Sequence, residues 1–356
     1  MDVAVVGAGV IGLTSALRLA EAGLRPLVIE RGDPGREASW AAAGILGAQS
    51  ESHGAGPFFE LCLRSRALYG ELAGHLLDRT GIDVGYQRCG VLHLAHDDDR
   101  AAVLREVHAW QVGRGLRSEL LEQVPGHPRA RLGVFMPDDG QVDTRALLEA
   151  LRSAVVSRGA QILRARVVRA VHEDGRLAAV ETESQSIPTG LCVVAAGAWS
   201  SAVEGANVHG VHPVKGQMIA YAPPPVPWKS VVYAGKGYAV PRKNGPLLVG
   251  ATQEEAGFDK STTAEGLAAL RAIAATLSDD LALATPSDQW AGLRPATADG
   301  LPIIGFSARS VIAATGHYRN GILLAPATAE AVVDLVAGRP RQDLRDFDPG
   351  RFAPDD

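Results

Sequence analysis

The chain has 356 residues, with 35 Lys and Arg against 40 Asp and Glu, a formal charge of −5, and 46% hydrophobic and 21% charged residues. That balance suits a globular protein with a sizeable core and room for two domains, and the lack of any basic block argues against a nucleic-acid partner. Three scattered cysteines, Cys62, Cys89 and Cys192, form no CxxC pair or zinc set, and an opening strand whose apolar continuation is broken by Arg18 and Glu21 fits no leader or membrane span, so a soluble, cytoplasmic protein is expected.

Val3 to Val6 predicts a short buried strand. It runs into Gly7-x-Gly9-x-x-Gly12 and a helix with Leu13, Leu17 and Ala20 on one face, and a second strand, Pro26 to Ile29, ends at Glu30. In this frame the glycines permit a tight turn, close approach to a pyrophosphate and close helix–strand packing, while Glu30 can accept two ribose hydroxyls. The unit predicts a dinucleotide site and leaves NAD and FAD open. The run GREASWAAAGIL, Gly35 to Leu46, separates them. Its small side chains let the backbone approach a bulky flat group, which suits a flavin.

Further along, His96-Asp97-Asp98-Asp99 reads as a solvated loop before a helix near 100–114 that starts about Arg100. Ile162–Val171 and Leu177–Glu183 read as a hairpin around Glu173-Asp174-Gly175, and Leu191–Gly197 as a buried strand ending in glycine. Lys243-Asn244-Gly245 is a hairpin signal between Gly237–Arg242 and Pro246–Gly250, and Leu267–Leu277 is helical. The stretch GHYRNGILLAPATAEAVVDLV, Gly316 to Val336, sets a cationic tetrapeptide before a helix, with Pro326 expected in its first turn and Gly338 and Pro340 beyond its end. Free N–H groups and a cation at one helix N-terminus attract negative charge.

The expected fold is α/β (α+β two-domain). A Rossmann-like FAD-binding domain would comprise 1–84, 141–211 and 291–356, and a discontinuous substrate domain on an antiparallel sheet would comprise 85–140 and 212–290. No second GxGxxG follows, so electrons are expected to enter from a substrate in direct contact with the flavin.

Four stretches together resemble the D-amino-acid oxidase family of flavoenzymes: VVGAGVIG with Glu30, Glu37–Glu51, Trp290–Gly305 and Gly316–Thr328. The second and fourth are similar to its glycine oxidase branch, which is associated with thiamine biosynthesis. The resemblance covers nearly the whole chain in the family's order. It implies non-covalent FAD, because no cysteine lies near the C-terminal motifs. By this resemblance Gly7, Gly9, Val10, Ile11 and Gly12 form the pyrophosphate turn, Glu30 and Arg31 hold the adenosine end, Val167 contacts the adenine side and Gly197 borders the cofactor. Ala38, Ser39, Ala43, Gly44 and Ile45 would approach the phosphates and flavin. His317, Tyr318, Arg319, Asn320, Gly321, Ile322 and Leu323 would form the loop under the ring, with the helix N-terminus facing its N1–C2=O edge.

A carboxylate-bearing amine needs a planar cation that grips both oxygens. Arg294 matches the family's carboxylate-binding arginine, Tyr238 a tyrosine that assists it, and Arg319 a second active-site arginine. Lys236 and Gln253 stand where a member of the branch carries histidine and methionine, and with Ile45 they are candidates for the pocket wall. The implied reaction is oxidative deamination of glycine or a similar small amine. Hydride passes from Cα to flavin N5, the imine hydrolyses to a 2-oxo acid and ammonia, and O2 reoxidises the flavin with release of H2O2. No side chain is expected to act as acid or base. No metal is expected, since the pairs His93/His96 and His209/His212 lack a helical metal-binding context. Other readings stay open: a sarcosine or D-amino-acid oxidase, a dehydrogenase of the same fold, an NAD-dependent dehydrogenase, and a non-catalytic flavin- or metabolite-binding protein. The branch commonly forms tetramers, which makes a homo-oligomer an expectation.

Overall fold

Val3–Val6 lies inside a six-stranded sheet in the computed structural model, which describes residues 1–52, 54–243 and 245–353. Pro26–Glu30 and Cys192–Val194 flank it in parallel, Gln161–Arg164 and Val311–Thr315 extend the sheet on either side, and the edge strand Ile303–Ala308 is antiparallel. Because successive side chains point to opposite faces, the strand serves two cores. Val3 and Val5 pack with the helices Val10–Glu21, Pro57–Thr80, Thr144–Ser157 and Gly321–Val336. Ala4 and Val6 pack under a small antiparallel sheet of Val167–Glu173, Arg176–Thr182 and Ser186–Pro188.

That small sheet adjusts the expected hairpin. Residues 161–164 leave it for the parallel sheet, and the turn between the remaining strands is the pair Asp174 (φ 49) and Gly175 (φ 71). Two positive φ angles match the right-handed twist of the strands they join.

The second sheet has eight strands, in the order Asp288–Ala296, His212–Tyr221, Leu247–Gly250, Gly237–Pro241, Val231–Ala234, Val91–Ala95, Leu132–Met136 and Glu119–Leu121. Its pairings are antiparallel apart from Val231–Ala234 beside Val91–Ala95. Gly237–Pro241 and Leu247–Gly250 pair as expected; of the turn signal between them, Asn244 lies outside the described residues. The boundary expected at residue 291 falls inside the strand Asp288–Ala296, which belongs wholly to this sheet.

Two helix ends differ from expectation for physical reasons. Asp97 is a cap, not loop: its carboxylate accepts the Arg100 N–H at 2.7 Å, and the helix runs Asp98–Gly113 with Asp98 and Asp99 in its first, electropositive turn. Thr263 caps Ala264–Leu277 in the same way. The sequence reading contains no helix at Pro57–Thr80, where interior Gly70 and Gly74 weaken the local signal and tertiary packing supplies the stability. Among the described residues no helix is long and apolar enough to cross a membrane.

Candidate active site

One long cleft opens at the carboxyl ends of the parallel strands and runs to the second sheet, which forms its far wall. At the near end Gly7 adopts φ 104, and a Cβ there would run into the Ala195 carbonyl. Gly7, Gly9, Val10 and Ile11 line the cleft, whereas Gly12 lies behind it against the Gly7 carbonyl, so that helix and strand can close together. The helix Val10–Glu21 has no side-chain cap at Gly9. Ser39 Oγ accepts the Val10 N–H at 3.0 Å, and the positive helix end faces the cleft.

Glu30 accepts the Ala8 and Gly32 N–H groups at 2.8 and 3.0 Å, which fixes its carboxylate and leaves lone pairs for hydroxyl donors. Arg31, Val167 and Gly197 line the same end, together with Trp199, which sequence reasoning missed. The Arg31 guanidinium carbon sits 3.4 Å from the Trp199 ring centre, and Phe258 stacks on that ring with centroids 5.2 Å apart. Glu37 pairs with both Arg31 and Lys260 at 2.8 Å. Phe258 and Lys260 thus tie the segment following the strand Leu247–Gly250 to Trp199 and Glu37, two residues that line the cleft's near end.

Ala38, Ser39, Ala43, Gly44 and Ile45 line the middle. Four successive carbonyls of this run are held by other parts of the chain. Ala41 accepts from Trp290 Nε1 at 3.0 Å, Ala42 from the Thr144 hydroxyl at 3.1 Å, Ala43 from Arg242 at 2.8 Å and Gly44 from the Val142 N–H at 2.9 Å. Burial lowers the Arg242 pKa to about 10, which still leaves it charged at neutral pH. The clamp joins residues about a hundred or more apart, so nothing local in the sequence signals it.

At the far end His317, Tyr318, Arg319, Gly321 and Ile322 line the cleft; Asn320 borders an adjoining cavity and Leu323 is buried behind. The helix Gly321–Val336 begins without a side-chain cap. Pro326 is its sixth residue and not in the first turn as expected, because the helix starts directly after Asn320. Tyr318 holds φ 47 and donates its N–H to the Pro295 carbonyl at 2.8 Å. His317 Nε2 lies 2.9 Å from the Thr328 hydroxyl, and burial lowers its pKa to about 3.

A neutral buried histidine makes stability depend on pH. Below its ordinary value of 6.5 the unfolded chain takes up a proton that the folded site refuses. The contribution is therefore complete above 6.5 and is lost as pH falls towards 3, with a slope of up to about 1.4 kcal/mol per pH unit. Urea unfolding between about pH 5 and 7 should show a flatter slope in His317→Gln than in the wild type. Identical slopes would remove His317 as the source.

Arg294 and Tyr238 close the far end with Met218. The Arg294 guanidinium lies flat over Gly216, where a Cβ would overlap it, and Nη1 donates to the Thr252 carbonyl at 3.1 Å. Burial raises the Tyr238 pKa against the pull of Arg294 and Arg319, so its hydroxyl stays protonated. Glu51 faces this group and was not singled out from the sequence. It accepts from the Tyr233 hydroxyl at 2.6 Å, and although burial works against the charge of Arg319, Glu51 and the nearby tyrosines outweigh it and raise its pKa. The loop carrying Glu51 is anchored by fully buried Asp139, which accepts the Gln49 and Ser50 N–H groups at 3.1 and 2.8 Å and pairs with Arg66 at 2.5 Å. Lys236 and Gln253 lie outside the cleft, exposed on the adjoining cavity, which shares Glu51, Arg294, Tyr318 and Arg319 with it; Ile45 lies in the cleft itself.

A long groove with a helix N-terminus at each end, neither capped by its own preceding residue, a clamped backbone between them and an anchored carboxylate near one end fits an extended dinucleotide carrying a flat ring. The chain matches the model of the FAD dependent oxidoreductase (DAO) family over residues 2–335 and belongs to that family. It is 38% identical over 349 residues to a glycine oxidase of Geobacillus kaustophilus, covering 94% of this chain and 92% of that protein. The crystal structure of a glycine oxidase from Geobacillus kaustophilus superposes with a TM-score of 0.93 at 36% identity over 98% of each chain. A bifunctional protein ThiO/ThiG of Synechocystis sp. is 37% identical over 99% of this chain, which spans about half (54%) of that longer protein. The chain is a glycine oxidase-like FAD-dependent oxidoreductase.

Proposed function

We propose that the cleft holds FAD without a covalent bond and that the far-end pocket oxidises glycine: glycine + O2 + H2O gives glyoxylate + NH3 + H2O2. The observation that carries this reading is the meeting of Arg294, Tyr238 and Arg319 with the uncapped N-terminus of the helix Gly321–Val336 at one end of one cleft. FAD, when bound, accepts the two electrons and the hydrogen of the substrate Cα–H bond and passes the electrons to O2.

The chain's own residues bind and orient. Gly7, Gly9, Val10 and Ile11 offer backbone to the pyrophosphate, Glu30 takes the ribose hydroxyls, and Ala43–Ile45 approach the ring. Arg294 grips the substrate carboxylate with Tyr238 beside it, which fixes Cα; hydride transfer requires the form of the substrate whose amine has lost its proton to solvent. Arg319, its charge sustained by Glu51, adds a second cation. His317 is neutral and bound to Thr328, which supports the absence of an acid–base role. No cysteine borders the cleft among the described residues, in keeping with non-covalent binding. Three free thiols suit a cytoplasmic setting, and the similarity to ThiO/ThiG suits supply of the glycine imine for the thiamine thiazole.

The adjoining cavity behind Arg294 and Arg319 favours a second reading, in which sarcosine or a small D-amino acid places its substituent there. Purified protein should show a flavin spectrum and form peroxide under air from glycine faster than from sarcosine or a panel of D-amino acids. Far faster oxidation of D-alanine or D-proline would overturn the glycine assignment, and dye reduction without peroxide would make the protein a dehydrogenase.

A further inference from the structure

Pro326 interrupts the helix Gly321–Val336 just behind the turn that faces the cleft. The ring carries no N–H, so the Ile322 carbonyl has no donor four residues on. The long helix Pro57–Thr80 meets this defect with two hydroxyls. Tyr69 donates to the Ile322 carbonyl, and Ser65 Oγ donates to the Leu323 carbonyl at 2.6 Å while accepting the Ala327 N–H at 3.2 Å. Both residues are buried, Ser65 fully and Tyr69 to within 1%. Neither touches the cleft.

We infer that Ser65 and Tyr69 are positioning residues: they hold the first turn of the helix Gly321–Val336 in the attitude that favours the reduced cofactor. The inference rests on FAD occupying the cleft. Dipoles stabilise charge in proportion to their alignment, and a first turn that proline deprives of one ladder hydrogen bond keeps that alignment through whatever else binds the freed carbonyl. Burial, with Tyr86 nearby, pushes the Tyr69 phenol far above its ordinary range, so it is a permanent donor. Tyr69 and Ser65 occupy positions i and i−4 of one helix, the spacing that presents two side chains to the same neighbour.

The test is the two-electron midpoint potential of bound FAD, measured by dye equilibration, with anaerobic flavin reduction by substrate as a second readout. Tyr69→Phe keeps the ring and loses only the donor. It should retain FAD and shift the reduction equilibrium about tenfold towards the oxidised form, about 30 mV, and slow reduction correspondingly. Pro326→Ala restores an N–H opposite the Ile322 carbonyl, so the double variant Tyr69→Phe/Pro326→Ala should regain the wild-type potential. A packing role for Tyr69 gives no such rescue. A yellow Tyr69→Phe protein at wild-type potential, or a shift that Pro326→Ala does not reverse, overturns the inference. Should Tyr69→Phe fail to fold, Ser65→Ala is held to the same shift in potential. A colourless wild-type protein would instead sink the cofactor reading on which the inference stands.

Discussion

Arg294→Ala is expected to lower kcat/KM for an amino-acid substrate by roughly 10²-fold to several thousand-fold while the protein stays yellow. Truncating one partner of a desolvated, hydrogen-bonded charge pair costs about 3–5 kcal/mol, and each 1.4 kcal/mol is about tenfold. The side chain reaches the cleft at its far end, away from the glycine turn proposed to receive the pyrophosphate, so cofactor retention should not follow activity. Arg294→Lys should recover only part of the loss, because an ammonium is a point charge and cannot match both oxygens of a carboxylate. Gly216 is part of the same arrangement, since the guanidinium occupies the space its Cβ would fill. Steady-state kinetics beside a visible spectrum check all of this. Unaltered turnover in Arg294→Ala would remove the residue from the substrate pocket.

The second large effect lies at the other end. Gly7→Ala should weaken FAD binding by roughly 10²-fold or more and also lower the melting temperature of the apoprotein. Its φ of 104 strains any L side chain, and the new Cβ meets the Ala195 carbonyl, which belongs to a neighbouring backbone and cannot step aside. Gly9→Ala separates the two readouts. Its Cβ would meet only the Ser39 hydroxyl, at 3.2 Å, so the empty fold should tolerate it while the close approach of a pyrophosphate is lost. Flavin fluorescence titration and thermal melts of apoprotein measure the two quantities. Equal FAD affinity in wild type and Gly7→Ala would contradict the placement of the pyrophosphate.

The sequence was most legible where function and fold are written locally. Strand, glycine turn, helix and terminal carboxylate at Val3–Glu30 need no distant partner to be recognised, and the run Ala38–Ile45, small apart from Trp40 and Ile45, lines the cleft where the sequence places it. Pocket residues that depend on strand pairing were harder. Glu51 acquires meaning only when the loop pinned by Asp139 and Arg66 brings it against Tyr233 and Arg319. Arg242 reads as one cation near a hairpin until the second sheet carries it to the Ala43 carbonyl. Lys236 and Gln253 lie in the right part of the chain but at an outer rim, because a loop position gives no hint of which of two adjoining hollows it borders. Pro326 misled for a related reason. Proline usually marks a helix start, and a partner helix that supplies hydroxyls to its orphaned carbonyls cannot be foreseen from the helix's own residues.

The tie made by Phe258 and Lys260 gives occupancy a kinetic side. Its two fastenings respond to different solvents: the ring stack on Trp199 persists in salt, whereas the half-exposed Lys260–Glu37 pair is screened by it. If a cofactor in the cleft must pass this tie to leave, its release rate depends on local opening there as well as on its affinity. On that reading flavin loss on dilution should quicken at higher ionic strength only by the modest amount an exposed ion pair contributes, and an unchanged loss rate in high salt would set the tie aside.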